Sequence, residues 1–266
     1  MRTLTCCALV ALALAVSPLA AGACRPNAPC YSAESIVNAA SNVAGDPIAP
    51  YTWVSLYGTG LSFSARNRTA EDMLPGFGGV NVLVNNQPAL LSYISPLQVN
   101  FLVPFSITSP EAKIQVTREG TAGPEVIVKL SDCSPALFQM DAGTVVAADP
   151  SNPERYTVIT HENPSRANDI VILYATGLGP FLYPMDDNLA ELPLTANPIA
   201  RTPAFRLLLN DEPVDDRLVE YVGAAPGFIG VYQINLRLPN PVPVNPEIRI
   251  GFGEHLSPFG IHLLAR

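Results

Sequence analysis

One string is written into this chain twice. Val54-Ser-Leu-Tyr-Gly-Thr-Gly-Leu61 returns as Val171-Ile-Leu-Tyr-Ala-Thr-Gly-Leu178, and further matches follow in the same order. Asn85-Asn-Gln-Pro88 answers to Asn210-Asp-Glu-Pro213, and Tyr93 answers to Tyr221. Gln98-Val-Asn100, running to Pro104, answers to Gln233-Ile-Asn235, running to Pro239. Four landmarks in one order mean two copies of one structural unit, so a fold proposed for one half must be buildable from the other.

The unit reads as β-structure. Short alternating segments are separated by Gly, Pro and Asn turns, without a sustained helical period. In the first copy the strands are expected at 35–39, 52–57, 80–85, 89–94, 97–103, 112–118 and 126–130. In the second they are expected at 145–148, 157–159, 170–174, 205–209, 218–222, 231–238, 247–252 and 259–264. Asn85-Asn86 and Asn210-Asp211 suit two-residue hairpin turns, since both residue types tolerate positive φ. Alternation turns Val54, Leu56, Val99 and Phe101 inward, with Val171, Leu173, Ile234 and Leu236 as their counterparts. Seven or so short strands per copy predict two tandem immunoglobulin-like antiparallel β-sandwiches, an all-β chain. Gly58 suits a bulge or a close backbone approach, although Ala175 replaces it in the second copy.

The N-terminus reads as a secretory signal. Arg2 precedes an apolar run from Cys6 to Val16, too short to span a bilayer, and Ala21-Gly-Ala23 offers a cleavage site. The organisation is therefore a cleaved signal peptide at 1–23, a Cys-containing segment at 24–34, and modules at 35–134 and 135–266. Cleavage leaves Cys24, Cys30 and Cys133. A Cys24–Cys30 disulfide closing a short loop fits an oxidising exterior. The rival is lipidation of Cys24, for Leu19-Ala-Ala-Gly-Ala-Cys24 resembles a bacterial lipoprotein box with Ala21 where Leu is usual; Cys30 could then pair with Cys133.

A net charge of −8 without a Lys/Arg run opposes binding to nucleic acid or anionic lipid. No second segment is long and apolar enough to cross a membrane. His161, His255 and His262 are scattered, as are the cysteines, so neither a zinc site nor a Ser/Cys–His pair is spelled out. Acidic pairs stand at Glu71-Asp72, Asp186-Asp187, Asp211-Glu212 and Asp215-Asp216, in turn-like stretches where solubility alone accounts for them. Asp211, Asp215, Asp216 and Glu220 form the best calcium candidate, without EF-hand spacing. No cofactor, metal or catalytic set is expected.

Candidate ligand contacts lie on the strand faces opposite the core. Trp53 and Tyr57 alternate with Val54 and Leu56, where aromatics can stack on a sugar ring or meet a partner. Gln98 and Asn100, repeated as Gln233 and Asn235, form either cross-strand hydrogen bonds or a duplicated polar site. The Pro-rich stretch 180–203 is the other place for something specific to this chain.

Each half resembles an IPT/TIG-like immunoglobulin module: an apolar-x-apolar strand ending at Gly, a V-x-V hairpin, and a strand ending in Pro. From Ile36-Val-Asn-Ala-Ala-Ser41 onward the chain resembles the Solibacter uncharacterised C-terminal domain family. The marks are Gly78-Gly-Val-Asn-Val82, Tyr93-Ile-Ser-Pro96, Gln98-Val-Asn-Phe101, Tyr174-Ala-Thr-Gly-Leu-Gly179 and Tyr232-Gln-Ile-Asn235. The resemblance implies export and supplies no activity, cofactor or catalytic residue. The expectation is a non-enzymatic secreted or cell-surface binding or assembly protein whose partner is an extracellular protein or glycan. The alternative is a carbohydrate-binding accessory protein for polysaccharide breakdown.

Overall fold

The computed structural model describes residues 24–68, 75–141, 143–151, 157–183 and 195–266. The signal segment, the Glu71-Asp72 and Asp186-Asp187 pairs, and residues 184–194 of the Pro-rich stretch lie outside them. Within them the chain is all-β, and helix is confined to short 3-10 turns.

The first sandwich joins two five-stranded sheets. The first runs Ile36–Asn38, Trp53–Tyr57, Gln98–Leu102, Leu90–Ile94 and Arg66–Asn67. Opposite it lie Val126–Lys129, Glu111–Arg118, Val80–Val84 and Gln87–Pro88, with Thr121–Ala122 paired to the far end of Glu111–Arg118. The second sandwich repeats the plan, with Ala147–Asp149, Ile170–Thr176, Tyr232–Arg237 and Val219–Ala224 on one side. Phe205–Leu209 and Ile248–Phe252 form the heart of its other sheet. The ladders are antiparallel.

The repeat holds at the level of single pairs. Val54 faces Phe101 and Leu56 faces Val99, while Val171 faces Leu236 and Leu173 faces Ile234. All eight side chains are fully buried. Both copies carry a register shift at the same place, where Tyr93 meets Asn100 and Tyr221 meets Asn235. Both hairpin turns adopt positive φ at their two central residues, 49° and 67° at Asn85-Asn86 and 52° and 62° at Asn210-Asp211. The turn asparagines also repeat a hydrogen bond: Lys113 N donates to Asn85 Oδ1, and Glu247 N donates to Asn210 Oδ1.

Two expectations need correction. The stretch 259–264 is not a strand; His262 forms only isolated bridges to Thr144 and Glu247. Pro258 and the left-handed Gly260, at φ 82°, interrupt the extended geometry a ladder needs. The single strand at 145–148 is two, Thr144–Val145 and Ala147–Asp149.

The N-terminal segment is built into the first sandwich. Cys24 and Cys30 are disulfide-bonded, and Cys30 exchanges two backbone hydrogen bonds of 2.9 Å with Thr59. A Cβ on Gly58 would lie 2.4 Å from the Cys30 carbonyl oxygen, which explains glycine here. Tyr31 enters the core, donating its hydroxyl to Pro124 O and accepting from Val116 N.

Burial, opposed by the Val116 hydrogen bond, pushes the Tyr31 hydroxyl up to about 12. A free tyrosine ionises near pH ~10, so between about pH 10 and 12 the unfolded chain holds fewer protons than the folded one. Stability should therefore fall as pH rises through that window. Urea midpoints taken across it should drop, and Tyr31→Phe should make the drop shallower. A Tyr31→Phe protein with an unchanged slope would contradict the buried hydroxyl.

The second core does not stop at the second sandwich. Tyr51, Trp53, Leu90 and Leu102, all from the first copy, belong to the cluster formed by Leu137, Phe181, Tyr232 and Ile229. Tyr51 meets the Phe181 ring edge-on at 5.2 Å, and Phe181 stacks on Tyr232 at 4.9 Å. The two modules share one apolar seam on the outer face of the first five-stranded sheet.

Candidate functional site

Trp53 sets the geometry of this seam. Strand alternation that buries Val54 in the first core turns Trp53 outward, where the turn at 225–230 receives it. Its indole Nε1 donates to Ile229 O at 2.7 Å, and its backbone N donates to Thr176 Oγ1 at 3.0 Å. Thr176 Oγ1 in turn donates to Gly230 O. Gly230 has φ 71°, and a Cβ there would sit 2.6 Å from Trp53 Nε1, so the turn reaches the indole only as glycine. Trp53 is therefore not an outward platform: it is 7% exposed and its one donor is used within the molecule.

Beside this contact a groove of about 380 Å³ opens between the modules. Ala39, Trp53, Arg68, Ser92 and Asn100 line it from the first copy, and Phe138, Phe228, Ile229 and Val231 from the second. Phe228 is half exposed, and its ring leans on Tyr174 at 6.2 Å. Arg68 lays its guanidinium over the Phe77 ring at 4.5 Å. Asn100 Oδ1 accepts from Ser55 Oγ at 3.1 Å and from Gln98 Nε2 at 2.8 Å. Two donors on one oxygen fix the amide orientation and leave Nδ2 as the group turned to other partners.

The six expected contacts thus separate. Trp53 and Asn100 reach the groove, and Gln98 stands behind it as the residue that orients Asn100. Tyr57, at the other end of its strand and 39% exposed, donates its hydroxyl to Asn42 Oδ1. Gln233 and Asn235 repeat the amide pair, with Gln233 Nε2 donating to Asn235 Oδ1 at 2.8 Å, on the second sandwich. Sequence reasoning missed Arg68, Ser92, Phe138 and Phe228. Only Phe228 carried a signal, an aromatic bracketed by Gly227 and Gly230 in a turn.

Among the described residues the titratable groups singled out from the sequence do not converge. All three histidines are exposed. Asp215 is pulled down to about 2 by hydrogen bonds from the Arg217 side chain and backbone. Asp211 pairs with Arg249 at 3.3 Å, Glu220 with Arg237 at 2.6 Å, and Asp216 with Arg206 at 3.9 Å. The four carboxylates of the calcium candidate therefore face four different arginines. Among the described residues no three metal-ligating side chains cluster. Cys133 is a buried free thiol; burial pushes its pKa up, against the pull of Arg201, with Asp132 adding to the rise. Among the described residues no helix is long and apolar enough to cross a membrane.

No family model and no curated protein matches this chain. Among solved structures it is similar to a surface glycan-binding protein from Prevotella bryantii, at 11% identity and a TM-score of 0.28, covering 86% of this chain and 41% of that one. It is similar to a surface glycan-binding protein of the Bacteroides ovatus mixed-linkage glucan utilization locus, solved with a mixed-linkage heptasaccharide. There the identity is 12% and the TM-score 0.33, over 94% of this chain and 44% of that one. Domains 5–6 of the S-layer protein SbsC match at 11% identity and a TM-score of 0.27, over 89% and 98%. The chain spans less than half the length of either glycan-binding protein.

Proposed function

We propose that this chain is a non-catalytic binding or assembly protein, exported to the cell surface or beyond, that receives an extracellular protein or glycan at the seam between its modules. The observation supporting this reading is the groove itself, where both copies contribute walls and the Trp53 contacts hold them in register. Binding needs a shaped surface with a few placed polar groups. Catalysis needs acids, bases or nucleophiles brought together with tuned pKa values, whereas Asp211, Asp216 and Glu220 are each held by a separate arginine. The signal at 1–23 and the Cys24–Cys30 disulfide support an oxidising exterior. The resemblance to the Solibacter family belongs to the same proposal.

The test joins location to turnover. The native protein should be recovered outside the cytoplasm beginning at Cys24, and it should leave ester, peptide and glycoside substrates intact. A chain that keeps Met1 in the cytoplasm, or turnover abolished by Asp215→Asn or Asp216→Asn, would sink the reading.

A further inference from the structure

We infer that the seam groove is a carbohydrate site, taking a neutral pyranose ring with its C–H face on Phe228 and its hydroxyls on Asn100 and Ser92. This rests on the binding reading above and names the ligand class for the same site. The chemistry of the lining decides among ligands. Phe138, Phe228 and the edge of Trp53 give aromatic surface, while Ser92, Asn100 and Arg68 give hydroxyl, amide and guanidinium groups. A ligand that matches both must carry apolar C–H faces and hydrogen-bonding groups on one small rigid frame, which is what a sugar ring does.

Other ligand classes fit less well. A purely apolar ligand would cover the Asn100 amide and Ser92 without replacing their water, at about 1–3 kcal/mol for each stranded group. A cation finds no carboxylate among the lining residues. A polyanion finds one guanidinium, already laid over Phe77, in a chain of net charge −8. The volume, about 380 Å³, lies toward the small end of ligand pockets. It suits a short stretch of a glycan rather than a long one.

Preorganisation strengthens the assignment. Asn100 cannot rotate its amide freely, because Ser55 and Gln98 both donate to its oxygen, so its Nδ2 is a fixed donor. Phe228 is exposed yet braced by Tyr174, and its turn is pinned by the Trp53–Ile229 hydrogen bond. Two of the three groups that would touch the sugar, Asn100 and Phe228, are thus ordered before it arrives.

Trp53 is the chain's single tryptophan and lines the groove, so its fluorescence reports occupancy directly. The mature protein should be titrated with glucose, galactose, mannose and N-acetylglucosamine, and with cello-, xylo-, manno- and malto-oligosaccharides, followed by calorimetry. At least one should give a saturable Trp53 signal. Phe228→Ala and Asn100→Ala should each weaken it at least tenfold, while Phe259→Ala, an exposed aromatic on the second sandwich, should not. Circular dichroism must show each variant folded, and a variant that unfolds is replaced by Phe228→Leu or Asn100→Asp. Failure of every saccharide to bind overturns the inference and leaves the export and no-turnover reading standing. Saccharide binding indifferent to both variants also overturns it, by placing the sugar elsewhere. A protein partner lost in Phe228→Ala, with no sugar bound, overturns the ligand class alone.

Discussion

Trp53→Ala should cost about 4 kcal/mol of stability, the range for truncating a large buried aromatic. For a chain of this length that corresponds to a fall in Tm of roughly 10 °C. The indole is almost wholly buried, it belongs to the second core while its strand belongs to the first, and it carries a hydrogen bond to Ile229 O. Its removal opens a cavity, strands that carbonyl, and takes away the contact that Gly230 was shaped to make. The change should also be one of cooperativity. With the seam intact the two sandwiches should unfold together; without it they should separate into two transitions by calorimetry. Trp53→Phe is the control, keeping apolar bulk while losing the donor, and it should cost about 1–2 kcal/mol. A Trp53→Ala protein with one transition at the wild-type temperature would show that the seam is not a shared core.

This seam also marks where sequence reading stops. Inward faces were legible because strand period is local: Val54, Leu56, Val99 and Phe101 alternate in the sequence and are buried together. The hairpins were legible because few residues accept the φ they require. The amide pair was legible as a repeat, but its repeated hydrogen bond runs along one strand, from Gln98 to Asn100 and from Gln233 to Asn235, rather than across strands as expected. The groove was not legible. Its walls come from residues as far apart as Ala39 and Val231, and nothing local announces that one sheet's outer face will receive a turn of the other module. Trp53 shows the limit well. Alternation placed it outside the first core correctly, and whether water or another module covers that face is a question of long-range packing.

The glycines of the duplicated string carry the second large effect. Gly177→Ala should lower stability by about 3 kcal/mol or more, combining left-handed strain with overpacking. Gly177 has φ 78°, and a Cβ there would stand 2.0 Å from Ser134 O. That oxygen is backbone and cannot swing aside as a side chain would. It also accepts a hydrogen bond from Asn38 Nδ2 of the first module, at 2.8 Å, so pushing it away loosens the seam as well. Gly58 offers the instructive contrast. Its Cβ would meet Cys30 O at 2.4 Å, and its backbone is not left-handed, so Gly58→Ala should cost about 1–3 kcal/mol from overpacking alone. The opposite change in the second copy, Ala175→Gly, should cost only roughly 0.5–1 kcal/mol. Each copy has its preceding segment docked on this string, the disulfide loop at Thr59 and Ala136–Leu137 at Thr176. The closest approach falls on different residues of the string, which is why glycine and alanine alternate there. Gly58→Ala should therefore expose 24–34 to protease while leaving the seam closed, and Gly177→Ala should open the seam. If both variants released the same fragments at the same rate, the two docking points would not be the separate devices their geometry describes.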